Sequence, residues 1–166
     1  MSETLERCYA AAMRILAYRF NSEAELRRKL RRKDFDDETI AATLERLRGE
    51  NWLDDERFAG SLVRSRLSKR VGRLRIRREL AAAGVDDEDA ARALARNLDP
   101  EAEREALVAL CRKRMRILAR RHGEAWLLTE EGRNKLTGYL LKQGYDAGLV
   151  HGVVRSTVRE ISIVHD

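Results

Sequence analysis

Two arginine pairs, Arg27-Arg28 and Arg77-Arg78, stand 50 residues apart and sit at the same offsets from leucines that read as core, Leu30 and Leu80. A guanidinium is a planar fork that can donate two hydrogen bonds to one phosphate or carboxylate, so a recurring pair of this kind suits an anionic surface. The pairs belong to longer basic runs. Residues 57–78 hold nine bases and no acid, residues 26–33 hold six bases and no acid, and residues 106–123 hold six more without an acid. From Trp126 onward five acids balance five bases, so the net charge of +6 arises before it. Acids collect instead at the starts of expected helices, as in Asp36-Asp37-Glu38 and Asp86-Asp87-Glu88-Asp89. Acids at helix N-termini complement the macrodipole, but that effect does not set the direction in which the arginines point.

Catalytic chemistry is not written in the chain. No Walker-type phosphate loop, GxGxxG, GxSxG, HExxH or CxxC occurs. His122, His151 and His165 are scattered, which argues against a metal site. Cys111 and His122 lie 11 residues apart, about three turns along a continuous helix and too far for a thiolate–imidazole pair. Trp52 and Trp126 could stack on bases, but packing between helical units is the preferred reading. The expectation is a binding protein without catalysis, cofactor or metal.

The elements that carry these bases follow from a threefold repeat. Leu26, Ile76 and Leu136 are each followed four residues later by Leu30, Leu80 and Leu140. Phe35-Asp36, Val85-Asp86 and Tyr145-Asp146 come next, then Ile40, Ala90 and Val150, then Leu44, Leu94 and Val154. Apolar residues at i and i+4 share a helix face. The aspartate is a good N-cap for a second helix, and Gly84 and Gly144 suit a left-handed turn after the first, a place Asp34 fills less comfortably. Ser22-Glu23-Ala24-Glu25 reads as a capping box. A preceding helix is expected in each copy, the last opened by Asp99-Pro100.

The fold expected is therefore all-α: three tandem three-helix repeats, at residues 1–50, 51–98 and 99–166, forming an elongated, curved helical-repeat protein. Residues 122–129 are the expected flexible joint. With Ile76 and Leu80 at the centre of the buried stripe, a rotation of about 100° per residue turns Arg78 to the opposite side, with Arg77 at the rim and Arg75 well outside. Arg28 and Arg27 take the same offsets in the first repeat, and the third repeat has Thr137 and Gly138 there. The candidate basic face comprises Arg27, Arg28, Arg31, Arg32, Arg73, Arg75, Arg77, Arg78, Arg112, Lys113, Arg116 and Arg120, with Leu74 as an exposed apolar contact among them. Cys8 and Cys111 are expected unpaired in a reducing, cytoplasmic setting. The first residues do not read as a signal peptide, since Arg14 interrupts the apolar stretch. No apolar run approaches the roughly 18–20 residues of a membrane span.

Several segments resemble a known family. Phe20-Asn21-Ser22-Glu23-Ala24-Glu25-Leu26-Arg27-Arg28-Lys29-Leu30 and Asn51-Trp52-Leu53-Asp54-Asp55-Glu56-Arg57-Phe58-Ala59 are similar to the first-repeat and most recognisable segments of RecX regulatory proteins. Gly72, Ile76, Glu79-Leu80 and Gly84-Val85 fit the second-repeat pattern, and Lys142-Gln143-Gly144-Tyr145-Asp146 fits the third more loosely. The resemblance implies three three-helix repeats. It also implies a regulator that binds the RecA recombinase–DNA filament in its helical groove and suppresses strand exchange, ATP hydrolysis and co-protease activity; a monomer is expected. Some members bind DNA directly, and a general DNA-binding repeat protein is the other reading. The resemblance transfers no contact residues, so the basic face rests on the charge pattern alone.

Overall fold

The computed structural model describes residues 3–164, with side chains to Ile161, and every regular element among them is helical. The chain divides into two compact units: the segment ending at Leu62 with Glu79–Ala93, and Val63–Arg78 with the segment from Leu94 onward. The expected boundaries near residues 50 and 98 do not coincide with this division, which cuts through the middle group of helices.

In the first unit, α1 (Glu3–Tyr18) packs on α2 (Glu23–Arg31) and α3 (Asp37–Gly49). Their shared core holds Cys8 and Ala12 from α1, Leu26 and Leu30 from α2, and Ile40, Leu44 and Leu47 from α3. The middle group comprises α4 (Asp55–Ser68), α5 (Arg73–Ala82) and α6 (Asp87–Asn97). In the second unit, α7 (Pro100–His122) packs on α8 (Glu124–Leu127), α9 (Glu130–Lys142) and α10 (Ala147–Val164). Leu107, Cys111, Met115 and Leu118 of α7 meet Leu136 and Leu140 of α9, Tyr145, and a valine stripe on α10. Leu26, Leu30, Ile76, Leu80, Leu136 and Leu140 are all fully buried, as the repeat requires.

The caps form as the sequence indicates. Carboxylate oxygens of Asp36, Asp86 and Asp146 accept from the backbone N–H groups of Thr39, Asp89 and Leu149 at 2.8, 2.8 and 3.1 Å. Asp34, Gly84 and Gly144 each adopt a positive φ (61°, 84° and 90°) in the turn after α2, α5 and α9. The capping box at Ser22 is half formed. The Glu25 N–H donates to Ser22 Oγ at 3.1 Å, but the Glu25 carboxylate pairs with Arg19 instead.

Two turns are also docking points, and they explain why glycine is needed at 84 and 144. In the first unit the buried Ser22 hydroxyl donates to the Ala83 carbonyl, and a Cβ on Gly84 would overlap that of Ala24. In the second unit the Gly72 and Leu74 N–H groups donate to the Gln143 and Gly144 carbonyls, each at 2.9 Å, and a Cβ on Gly144 would overlap Arg75. Ser22 and Gly72 occupy equivalent positions, four residues before Leu26 and Ile76. The start of a middle helix thus seats on the glycine turn of the next repeat twice, once through a side-chain hydroxyl and once through backbone N–H groups. Asp34 occupies the corresponding turn of the first copy, where it is exposed.

Two expectations are corrected. Residues 122–129, expected as an irregular joint, hold a short helix. Trp126, Leu127 and Leu128 are apolar and need cover, so α8 folds onto α7 and α9, with Leu127 buried and the Trp126 carbonyl accepting from both the N–H and the hydroxyl of Thr129. This adds a tenth helix to the nine expected, among the described residues. Trp52 does not pack: it is 52% exposed, because Asn51 turns the chain at φ 60° and sends Leu53 into the core in its place.

Candidate functional site

All twelve bases of the expected face lie on or at the ends of helices, and all but Arg27 and Arg73 are exposed. Their surroundings divide them. On α2, Arg27 pairs with Glu23 one turn back at 3.4 Å, and Arg31 Nε donates to Asp37 at 2.7 Å, which holds the Asp37 carboxyl below the usual carboxylate range. Arg28 stays exposed, yet its Nη2 donates to the Ala82 carbonyl at 3.0 Å, beside the Ser22–Ala83 seat. Arg32 is exposed at the C-cap of α2.

On α5 the division is sharper. Arg73 is a structural residue. Its Nε donates to Glu103 Oε2 at 2.8 Å, its Nη2 reaches the same oxygen, and its own backbone N–H donates to the other oxygen at 3.3 Å. Glu103, on α7, is buried, so Arg73 neutralises a carboxylate that water does not reach. Arg75, Arg77 and Arg78 remain on the exposed side of α5, and Arg78 Nε donates to the Leu74 carbonyl at 3.3 Å. Leu74 is 44% exposed, as its helical position indicates.

On α7, Arg112, Arg116 and Arg120 follow one another at four-residue spacing and share a face, with Lys113 beside them. Arg112 pairs with Glu160 of α10 at 3.1 Å. Arg112 and Arg116 also border a pocket of about 330 Å³ whose floor includes Met115 and Leu127 and whose other charged wall residues are Glu124 and Glu160. Its charges are mixed, so it does not extend the basic surface as a purely cationic patch.

The α2, α5 and α7 sets each hold together on their own helix, and of the α5 set Arg73 is tied to α7, through Glu103. A second basic cluster escaped the sequence reading. Arg14 and Tyr18 of α1, Arg19 just after it, and Lys29 and Lys33 from α2 and its exit line one pocket of about 320 Å³. The signal was present as two i,i+4 pairs, Arg14/Tyr18 and Lys29/Lys33, but only packing α1 on α2 makes them one site. Among the described residues no group of three or more His, Cys, Asp or Glu could hold a metal ion, and no helix is long and apolar enough to cross a membrane. His165 lies outside the described residues.

Comparison with known proteins gives the kinship. The family descriptions "RecX, first three-helix domain" and "RecX, second three-helix domain" match residues 8–47 and 54–94. A regulatory protein RecX of Amycolatopsis mediterranei is 36% identical over 147 residues, covering 88% of this chain and 80% of the relative. Another, of Xanthomonas campestris pv. campestris, is 34% identical over 144 residues, covering 87% and 83%. The crystal structure of RecX from Lactobacillus salivarius superposes with a TM-score of 0.77 at 25% identity, over 94% of this chain and 97% of that one. The matched segments contain both arginine pairs and the docking turn at Gly84, and on this footing the chain belongs to the RecX family of regulatory proteins.

Proposed function

We propose that this protein is a non-enzymatic, monomeric cytoplasmic regulator that binds the RecA recombinase–DNA filament and inhibits its strand exchange, ATP hydrolysis and co-protease activity. Family membership supports this reading, since the relatives are named regulatory proteins RecX. The observation that carries it is the pair Arg28 and Arg78: each stands two residues after a fully buried core residue, Leu26 and Ile76, and each is exposed. Helices that bury one stripe in the core leave the opposite stripe to solvent, where a partner can reach it, and here that stripe is cationic in two successive copies. A surface of repeated units suits a partner that is itself a repeating polymer of protein and phosphodiester.

The test is RecA ATPase and strand exchange with this protein substoichiometric and DNA in excess. Inhibition that persists despite ample free DNA supports filament binding. Inhibition abolished by added DNA supports the second reading, a general DNA-binding repeat protein without a dedicated recombinase partner. That second reading is favoured by the same exposed arginines, because phosphate neutralisation alone attracts any nucleic acid.

A further inference from the structure

The pocket between α1 and α2 lies outside the arginine-pair face. Four of its lining side chains are cations, Arg14, Arg19, Lys29 and Lys33, and none is an acid. Its floor is apolar, from Ala11 and Ile15. Tyr18 stands at its edge 94% exposed, and Phe20, on the other side of Arg19, is 56% exposed. An aromatic ring left almost wholly in water is an uncovered stacking surface, and beside clustered cations it has the composition of sites that hold a base and its phosphate.

Lys29 is held in place. Lys29 Nζ donates to Asn21 Oδ1 at 2.6 Å, and the buried Asn21 in turn donates from Nδ2 to the Arg19 carbonyl at 2.7 Å. An amide, not a carboxylate, positions the Lys29 ammonium, so its charge is not cancelled by the contact. Burial lowers the Lys29 pKa, Arg19 lowers it further, Glu25 opposes them, and Arg32 adds to the lowering. Glu25, the acid that acts on Lys29, is already paired with Arg19, and no acid lines the pocket. The site therefore holds uncompensated positive charge.

We propose that this pocket is a nucleotidyl site, with a phosphate seated among Arg14, Lys29 and Lys33 and an unpaired base stacked on Tyr18. The ligand chemistry is a phosphate carrying a planar base, supplied by a link of single-stranded nucleic acid or by a free nucleotide. A base paired within a duplex does not offer its face to Tyr18, so double-stranded DNA is the poorer ligand. The site stands apart from the filament reading and does not depend on it.

The experiment uses the full chain and a fluorescent single-stranded thymidylate oligomer, with binding followed by anisotropy across a salt series. Tyr18→Ala should weaken binding roughly tenfold, and Tyr18→Trp should restore it, since stacking tolerates any aromatic face. Arg14→Gln with Lys33→Gln should lower the log–log salt slope by about 1.4, and Lys135→Gln with Lys142→Gln, two exposed bases of α9, should leave it near the wild-type value. Free thymidine monophosphate that displaces the oligomer assigns the site to a nucleotide; displacement by unlabelled oligomer alone assigns it to a strand. Wild-type binding by Tyr18→Ala overturns the proposal. So does displacement by polyglutamate as readily as by unlabelled oligomer of equal charge, which would show bulk attraction only. RecA inhibition measured on the same variants separates this site from the arginine face: loss of oligomer binding with filament inhibition intact leaves the filament reading standing.

Discussion

Arg28 and Arg78 share an offset from the core but not a surrounding. The Arg28 guanidinium is hydrogen-bonded to the carbonyl of Ala82, the last residue of α5, whereas the Arg78 guanidinium bonds to Leu74 within its own helix. Charge reversal at both positions should weaken filament or DNA binding and reduce the salt dependence by about 0.7–0.9 per lost phosphate contact, measured by ATPase inhibition and by binding across a salt series. Arg78→Glu is the cleaner probe, because Arg28→Glu also removes a bond at a docking turn. Lys135→Glu with Lys142→Glu is the matched control; equal inhibition by both double variants would leave the arginine face as a solvated surface. Arg73 behaves differently again. Arg73→Ala leaves the Glu103 carboxylate buried without its counter-charge, and thermal or denaturant unfolding should show a loss of roughly 2–3 kcal/mol, below the ~3–5 of a fully buried pair because Arg73 itself is partly solvated. Glu103→Gln should cost less, and neither change should act through the loss of a surface charge alone. Nothing in the sequence pairs residues 30 apart, so Arg73 reads as one more arginine in a run until α5 and α7 are placed.

At the scale of the element, the turn after the middle helix occurs three times with the same left-handed geometry and two different neighbourhoods. Gly144→Ala would combine a side chain at φ 90° with overlap on Arg75, and should destabilise the fold by at least about 1–2 kcal/mol from the backbone alone. Asp34→Gly should be neutral or slightly stabilising in the same denaturation assay, because Asp34 is exposed at an equivalent φ. The helices, their caps and their buried stripes were legible because each depends on residues within about one or two turns of one another. The seats were not. Ser22 meets Ala83 across 61 residues of sequence, and Tyr145 donates from its hydroxyl to the Arg70 carbonyl across 75. The α1–α2 pocket was hidden for the same reason, since half of it lies on each helix. Helix α8 was misread because four helical residues are too few to show a period.

At the scale of the whole molecule, each compact unit has one cysteine sealed in its core, Cys8 in the first and Cys111 in the second, both unpaired and both fully buried. Burial raises both thiol pKa values, that of Cys111 to about 11. The sign follows directly: as pH rises from about 9 toward 11 an unfolded thiol ionises before the folded one, so stability falls through that window. Near neutral pH neither thiol is ionised or reachable while its core is closed. Two clocks are therefore already installed in the chain. In a dilute alkylating reagent each cysteine should be captured only when its own surroundings open, and mass spectrometry of the two peptides would read the two opening rates from one sample. Cys8 sits on the first helix in the smaller cluster and should be captured sooner than Cys111, which lies mid-way along α7 among more buried neighbours. Equal capture times would mean that the cores breathe as one. The same record taken with and without a partner would show which unit the partner quiets, without a label, a tag or a mutation.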